Sequence, residues 1–330
     1  MSAVIDGYDA AFFDLDGVIY LGPKAVPGAA GALRSLRQRG TKVMYVTNNA
    51  AREAQVVIDQ LNGLGFEAMA ANVLTSAQVA AVGLAAELPA GSRVLVAGSR
   101  NLAGLVAAAG FEVVGTANEQ PAAVIQGYDP DLSWRLLDEV ALAIQGGARW
   151  FATNDDASRP TDRGLVPGVG GALAVVRLVV GGEPTTFGKP FRPMLAEAMR
   201  RTRAQHPVFV GDRLDTDISG AHNAGIDSLL VFSGAHGKHD LVAAPPEERP
   251  THIGANVSAL LRGVRPLVVG DGRATCRAQV AVAEAGRVRL AGSPRTPEDQ
   301  FDALWALTQL VWTDPGLDAS GALAALDLVQ

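Results

Sequence analysis

The stretch AFFDLDGVIYLG, residues 11–22, places two aspartates directly after an apolar run. The short continuous run AAFF is typical of a strand that is covered on both faces of a sheet. Asp14 and Asp16 follow where this strand should end. Because buried carboxylates are costly unless they are paired or bind a cation, the rest of the sequence must supply the neutralising groups.

Strand and helix patterns alternate after this stretch. The helix VPGAAGALRSLRQRG, the strand KVMYVTNN and the helix AREAQVVIDQLNGLG follow one another. This order predicts a parallel sheet with helices on both faces, in which ligands gather beyond the carboxyl ends of the strands. Asp14, Asp16 and Thr47 all fall at such ends.

The alternation is interrupted once and later changes in character. A separate series of alternating strands and helices occupies residues 82–186. After it, the strand–helix alternation of the first part of the chain resumes. We therefore expect an α/β fold with a Rossmann-like parallel-sheet core, residues 1–81 and 187–255, and an inserted α/β cap domain, residues 82–186. Residues 262–330 are expected to form a small α+β extension, with a β-hairpin and an amphipathic helix.

The composition limits the possible partners. Hydrophobic residues make up 48% of the 330, charged residues 19%, and the net charge is −6, which suits a globular protein and disfavours nucleic acid or an anionic membrane surface. The only cysteine, Cys276, excludes an internal disulfide, and no signal peptide or membrane-spanning run is evident. We expect a cytoplasmic protein.

Four short motifs follow predicted strands of the core in order: DLDG at 14–17, TNN at 47–49, GKP at 188–190 and GDRLDTD at 211–217. The insertion lies between the second and third motifs. With this arrangement the sequence resembles the haloacid dehalogenase superfamily over about residues 8–255. It is most similar to the branch with an inserted α/β (C2-type) cap that contains 4-nitrophenyl, phosphoglycolate and pyridoxal phosphate phosphatases.

The motifs predict a magnesium site. Three carboxylates, those of Asp14, Asp16 and Asp212, would repel one another around a phosphate, and an all-oxygen ligand set favours Mg²⁺ over zinc. The resemblance implies that the protein ligands are the carboxylates of Asp14 and Asp212 and the backbone carbonyl of Asp16. It also implies that Asp217 lies outside the ligands and orients Lys189 or a metal-bound water.

The same motifs predict a phosphatase that works through an aspartyl-phosphate. Asp14 is expected to be the nucleophile, Asp16 the general acid and then the general base, and Lys189 the positive charge beside the phosphoryl group. The residues expected to bind phosphate or substrate are Thr47, Asn48, Asn49, Lys189, Asn154 and Arg159.

The substrate is expected to be a small phosphorylated metabolite. The polar loop FATNDDASRPTDRG, residues 151–164, is the candidate leaving-group pocket. The overall resemblance favours glycerol 3-phosphate, and phosphoglycolate or pyridoxal phosphate remain open. A phosphotransferase or mutase that uses the same intermediate and a non-catalytic binding module are the alternatives. A homo-oligomer through the cap or the C-terminal extension is also possible.

Overall fold

The structure is a computed structural model that describes residues 2–161 and 163–329. The chain divides into two compact units. Residues 1–43 and 204–330 form the first unit, and residues 44–203 form the second.

The strands are β1 (Ala10–Phe13), β2 (Tyr20–Leu21), β3 (Lys24–Ala25), β4 (Lys42–Thr47), β5 (Val73–Thr75), β6 (Arg93–Ala97), β7 (Glu112–Val114), β8 (Ala123–Gln126), β9 (Arg149–Ala152), β10 (Ser158–Thr161), β11 (Gly164–Pro167), β12 (Thr185–Thr186), β13 (Pro207–Gly211), β14 (Asp227–Val231), β15 (His252–Gly254), β16 (Leu267–Gly270), β17 (Arg273–Cys276), β18 (Gln279–Glu284) and β19 (Arg287–Leu290). The α-helices are α1 (Ala29–Gln38), α2 (Ala54–Gly63), α3 (Ser76–Glu87), α4 (Arg100–Ala108), α5 (Trp134–Gln145), α6 (Val169–Arg177), α7 (Arg192–Thr202), α8 (Ser219–Ala224), α9 (Lys238–Ala243), α10 (Pro297–Thr313) and α11 (Ser320–Ala324).

Four strands of the first unit are hydrogen-bonded in parallel in the order β15-β14-β13-β1. Both β1 and β13 are buried along their whole length, as expected for apolar strands that are covered on both faces. Phe12 in β1 lies beside Phe209 in β13. Because the two strands run in the same direction, the residues that follow them, Asp14 and Asp212, emerge at the same edge of the sheet.

The C-terminal part of the first unit is a four-stranded antiparallel sheet in the order β16-β17-β18-β19, with α10 and α11. The expectation of a single hairpin is therefore wrong. The turn before β17 is Asp271–Gly272, where both residues have positive φ (50° and 68°), as in a two-residue hairpin turn. The turn after β17 contains Arg277 at φ 50°, so no glycine marks it in the sequence.

Helix α10 begins where the sequence predicts it. Thr296 is the N-cap, and its Oγ1 accepts the backbone N–H of Asp299 at 3.1 Å. The helix buries Phe301, Leu304 and Leu307 in a core that it shares with the antiparallel sheet and with the ends of β14 and α9. The extension is thus packed into the first unit and is not a separate domain.

The second unit contains a five-stranded parallel sheet in the order β12-β9-β8-β6-β7. Its core includes the buried residues Leu95, Val124 and Leu173. Strands β4 and β5 form a parallel pair, in which Tyr45 lies beside Val73. Strands β10 and β11 form a separate antiparallel pair.

The borders of the inserted cap, at residues 82 and 186, stay a prediction. Residues 44–81 and 187–203, which the sequence analysis assigns to the core, fall in the second unit. Within the described parts of the chain, no helix combines the length and apolar character needed to cross a membrane.

Candidate active site

Three carboxylates of the first unit converge in what is here termed the acidic cluster: Asp14, Asp212 and Asp217. One carboxylate oxygen from each lies within 4.8 Å of the others. Asp14 follows β1, and its backbone N–H donates to the carbonyl of Val210 at 2.9 Å, so the strand pairing continues up to the cluster. Asp212 and Asp217 are buried.

Backbone N–H groups that follow β13 hold Asp217 of the acidic cluster in place. The residues after β13 form a short π-helical turn, Leu214–Ile218, which brings Asp217 back towards the strand end. Oδ2 of Asp217 accepts the backbone N–H groups of Asp212 and Arg213, both at 3.1 Å. These bonds fix the position and orientation of the carboxylate.

The segment that follows β14, termed the 232–237 loop, is hydrogen-bonded to Asp212. The backbone N–H of Ala235 donates to Asp212 Oδ2 at 2.7 Å, and the N–H of His236 donates to the Asp212 carbonyl at 3.1 Å. A Cβ on Gly234 would lie 2.0 Å from Asp212 Oδ2, and one on Gly17 would lie 2.3 Å from it. Only glycine allows this approach on either side.

Asp215 lies outside the acidic cluster. It pairs with Arg213, which donates from Nε to Oδ1 at 3.1 Å and from Nη2 to Oδ2 at 2.6 Å. Burial alone would raise the pKa of Asp215, but the hydrogen bonds and charge of Arg213 outweigh it and lower the pKa below its usual range. Asp215 is therefore an ion-pair partner and not a helix cap.

The chemistry of the acidic cluster fits a hard divalent cation. Two like charges about 4 Å apart repel by roughly 4 kcal/mol at an effective dielectric constant of 20, so three buried or half-buried carboxylates need a positive counter-charge. Their oxygen donors suit Mg²⁺. The sequence analysis expects Asp217 outside the ligands, whereas the structure brings its carboxylate within the same reach as Asp14 and Asp212.

Asp16 differs from the cluster in its exposure. The side chain is exposed, while Leu15 and Gly17 on either side of it are buried. The following turn is fixed by the N–H of Gly17, which donates to the carbonyl of Tyr20 at 2.8 Å. An exposed carboxylate on a fixed turn is available to exchange protons with a bound molecule, as a general acid and base requires.

The second unit contains a hydrogen-bond network around Asn48, here called the Asn48 network. Its side chain accepts the backbone N–H of Lys189 at 2.8 Å and donates to the Lys189 carbonyl at 2.9 Å and to Asp156 Oδ1 at 3.1 Å. The Asn48 carbonyl accepts from Asn154 Nδ2 at 2.8 Å and from Ser76 Oγ at 2.6 Å. Asn48 thereby joins three separate loops.

Lys189 is the charged member of the Asn48 network, and its side chain is buried. The preceding residue leaves no room for a side chain, because a Cβ on Gly188 would lie 2.6 Å from the carbonyl oxygen of Thr153 and 2.7 Å from Asn48 Oδ1. The GKP motif thus needs its glycine for close packing and holds the backbone of Lys189 at a defined place.

Thr47 and Asn49 shape the turn after β4. Thr47 is buried, and its Oγ1 accepts the backbone N–H of Asn49 at 3.1 Å. The side chain of Asn49 accepts the N–H groups of Ala51 and Arg52 at 3.1 and 3.2 Å. In this structure Asn49 caps its own turn, while its expected role in substrate binding stays a prediction.

Arg159, the residue expected to meet the leaving group, rests on Tyr128. Its Nη2 donates to the Tyr128 hydroxyl at 2.6 Å, and the guanidinium lies 4.6 Å from the centre of the tyrosine ring. The sequence analysis did not single out Tyr128. Tyr128 follows β8 by two residues, after Gly127. A tyrosine just beyond the end of a strand was the sequence signal that could have identified it.

The structure gathers the predicted site residues into two sets. Asp14, Asp212 and Asp217 converge in the first unit, and Asp16 lies on the adjoining turn. In the second unit Lys189 and Asn154 are each hydrogen-bonded to Asn48, and Thr47 and Asn49 are its neighbours in the chain. Arg159 is hydrogen-bonded to the Tyr128 hydroxyl instead.

Two family models match the chain. The haloacid dehalogenase-like hydrolase model matches residues 11–112, and the HAD-hydrolase-like model matches residues 186–260, which together make up more than half of the sequence. The chain belongs to the haloacid dehalogenase-like hydrolases. The family expected from the four motifs is confirmed.

Similar proteins support this membership in the haloacid dehalogenase-like hydrolases. A D-glycerol 3-phosphate phosphatase of Mycobacterium tuberculosis is 42% identical over 269 residues, which is 82% of this chain and 75% of that protein. A 5'-nucleotidase of Bacillus subtilis is 32% identical over 247 residues, 74% of this chain and 94% of that protein.

Solved structures of other haloacid dehalogenase-like enzymes have the same fold. A glycerol phosphate phosphatase from Mycobacterium tuberculosis in complex with magnesium matches with a TM-score of 0.83 and 36% identity, over 99% of this chain and 98% of that one. A 4-nitrophenylphosphatase from Thermotoga maritima matches with a TM-score of 0.74 and 27% identity, over 79% of this chain and 99% of that one. The expected α/β fold is confirmed.

Proposed function

We propose that this haloacid dehalogenase-like hydrolase is a Mg²⁺-dependent phosphatase and that its substrate is glycerol 3-phosphate. The observation that carries the chemistry is the acidic cluster, in which Asp14 meets Asp212 and Asp217 at the end of two parallel strands. The substrate is proposed from the likeness to a D-glycerol 3-phosphate phosphatase over 82% of this chain. A small polar ester also suits the polar loop of residues 151–164.

We propose that Asp14 is the nucleophile. Its carboxylate attacks phosphorus, the bond from phosphorus to the glycerol oxygen breaks, and an aspartyl-phosphate forms. Asp16 gives its proton to the departing oxygen and then takes a proton from the water that hydrolyses the intermediate. The same carboxyl group therefore begins each turnover as an acid and is restored by the second step.

Charge on the phosphoryl group is proposed to be met by the second set of residues. Lys189 supplies a compact positive charge, and Thr47 and Asn48 supply a hydroxyl and a backbone N–H. Asn49 and Asn154 are assigned to substrate binding, and Arg159 to the leaving group. Asp14, Asp212 and the backbone carbonyl of Asp16 would hold Mg²⁺, with Asp217 beside them to orient Lys189 or a metal-bound water. When bound, the ion neutralises the carboxylates and polarises the phosphoryl oxygens.

The first experiment measures phosphate release from a panel of small monoesters with Mg²⁺ or with EDTA. Asp14→Asn should reduce turnover by roughly 10⁴-fold or more, because the nucleophile is lost while the shape is kept. Asp138→Asn, an exposed aspartate of α5, is the matched control and should leave turnover unchanged. Turnover that survives Asp14→Asn would rule out the aspartyl-phosphate route.

The same panel separates the substrates. Preference for glycerol 3-phosphate supports the proposal, whereas preference for phosphoglycolate would indicate that Arg159 recognises a carboxylate. Transfer of phosphate to an added acceptor alcohol would instead indicate a phosphotransferase.

We further propose that the enzyme acts in the cytoplasm on a small metabolite. A homo-oligomer through the cap or the C-terminal extension is proposed with it, and sedimentation of the wild type and of a variant lacking residues 262–330 tests this.

A further inference from the structure

The 232–237 loop connects β14 to α9 and touches the acidic cluster at several atoms. Besides the two bonds to Asp212, the hydroxyl of Ser233 donates to the carbonyl of Gly17 at 2.7 Å. Nδ1 of His236 accepts the backbone N–H of Leu214 at 2.8 Å. The loop therefore fixes both sides of the strand end from which Asp212 projects.

The C-terminal extension contacts the beginning of this loop. Phe232, the first loop residue, packs edge-to-face against Phe301 of α10, with ring centres 5.2 Å apart. Both rings are buried, so this contact shields the start of the loop from solvent.

The C-terminal extension also holds the segment just after the loop. Nζ of Lys238, the first residue of α9, donates to the backbone carbonyls of Leu326 and Val329. Nε1 of Trp312 donates to the carbonyl of Leu241 at 3.2 Å, near the end of α9. The loop is thus clamped at both ends by residues that lie more than sixty positions later in the chain.

We propose that the C-terminal extension, residues 262–329, positions Asp212 for Mg²⁺ by clamping the 232–237 loop, and that Lys238 is the positioning residue of this clamp. Ordering a loop costs backbone entropy. A loop that is already held at both ends presents the Ala235 N–H to Asp212 and loses less entropy when the cation binds. This inference rests on the proposed magnesium-dependent function.

The test compares Lys238→Met with Val288→Ala. The first substitution keeps the length of the side chain and removes the charged donor to the two carbonyls. The second shortens a buried side chain of β19 and weakens the extension, but it removes none of the hydrogen bonds of Lys238 or Trp312 and leaves the rings of Phe232 and Phe301 in place. Mg²⁺ binding is measured by calorimetry without substrate, and hydrogen exchange of the Ala235 amide is measured without metal.

Lys238→Met should weaken Mg²⁺ binding by about three- to tenfold, less than the roughly 10- to 100-fold typical of groups that contact a metal ligand directly. It should speed exchange of the Ala235 amide, and excess Mg²⁺ should restore turnover. Val288→Ala should lower the melting temperature and change neither readout. If Lys238→Met does not fold, Phe301→Leu tests the clamp from its other end.

Unchanged Mg²⁺ binding and unchanged exchange in Lys238→Met would overturn the inference, and so would equal shifts in Val288→Ala. Absence of phosphate release from the wild type would refute the proposed function alone, because metal binding and exchange are measured without turnover.

Discussion

In the acidic cluster of the first unit, three carboxylates face one another, whereas in the Asn48 network of the second unit donors meet acceptors. Backbone N–H groups fix the buried carboxylates of the cluster, and tightly packed glycines leave room for Asp212. In the Asn48 network the amide side chain of Asn48 is hydrogen-bonded to both backbone groups of Lys189, so that donors and acceptors satisfy one another.

Under the proposed function, the two regions would serve two different tasks, metal binding and phosphate binding. A site for a cation must leave negative charge unbalanced, so it is sensitive to small displacements of its ligands. A site that presents hydrogen-bond donors to a phosphate must be rigid, because the stabilisation of charge depends on the direction in which the donors point. Substitutions in the two regions should therefore fail in different ways, one in metal affinity and the other in turnover at saturating Mg²⁺.

Among the substitutions that compare the two regions, the largest effect is expected for Asn48→Ala. The substitution removes the bonds that hold the Lys189 backbone and the side chain of Asp156. Displacement of a positioned group by about 1 Å costs around 10²-fold, so kcat at saturating Mg²⁺ should fall by roughly 10²- to 10³-fold, with Mg²⁺ affinity unchanged. Steady-state kinetics across Mg²⁺ concentrations measures both quantities.

Asn62→Ala is the matched control for Asn48→Ala. Asn62 also bonds a backbone N–H and a backbone carbonyl of one residue, Ala68, elsewhere in the second unit. This variant should lose stability and keep its turnover. A lowered Mg²⁺ affinity in Asn48→Ala would remove the distinction between the two regions.

The next effect is expected for Gly234→Ala. The new Cβ would lie 2.0 Å from Asp212 Oδ2, so the loop or the carboxylate must move. Because the shifted group contacts a metal-binding residue directly, the Mg²⁺ concentration for half-maximal activity should rise by about 10- to 100-fold.

Gly254→Ala provides a crowded glycine outside the acidic cluster, since its Cβ would lie 2.3 Å from the Cβ of Ala259. Thermal unfolding should report destabilisation of this control, whereas its Mg²⁺ dependence should match that of the wild type. A Mg²⁺ dependence of Gly234→Ala equal to that of Gly254→Ala would show that the 232–237 loop does not control the metal.

The smallest effect is expected for Tyr128→Phe. The ring stays beneath Arg159, and only the hydroxyl that accepts from its Nη2 is lost. Exposed pairs of this kind contribute about 0.2–1 kcal/mol, so KM for glycerol 3-phosphate should rise by about two- to fivefold with kcat unchanged. Arg159→Ala should raise KM further, and an unchanged KM in both variants would exclude Arg159 from the leaving-group site.

The sequence was sufficient to locate the strands that carry the chemistry. Asp14 and Asp212 each follow a continuous apolar run, and such runs together with the order of the motifs also predict the parallel sheet. The contribution of Ala235 could not be predicted, because a backbone N–H carries no sequence signal. The turn at Arg277 was missed for a related reason, since a non-glycine residue adopts the left-handed conformation there.

Among the strands of residues 2–161 and 163–329, β10 and β11 pair only with each other, apart from the five-stranded sheet of their unit. An isolated two-stranded pair contributes little to stability, so exchanges or insertions in residues 158–167 put little of the core at risk. Arg159 lies in this pair, whereas Asp14 and Lys189, to which we assign the chemistry, lie elsewhere in the chain. The segment that tolerates sequence change is therefore separate from the residues to which the chemistry is assigned. A new substrate preference can be acquired by changes in this segment, without a new fold.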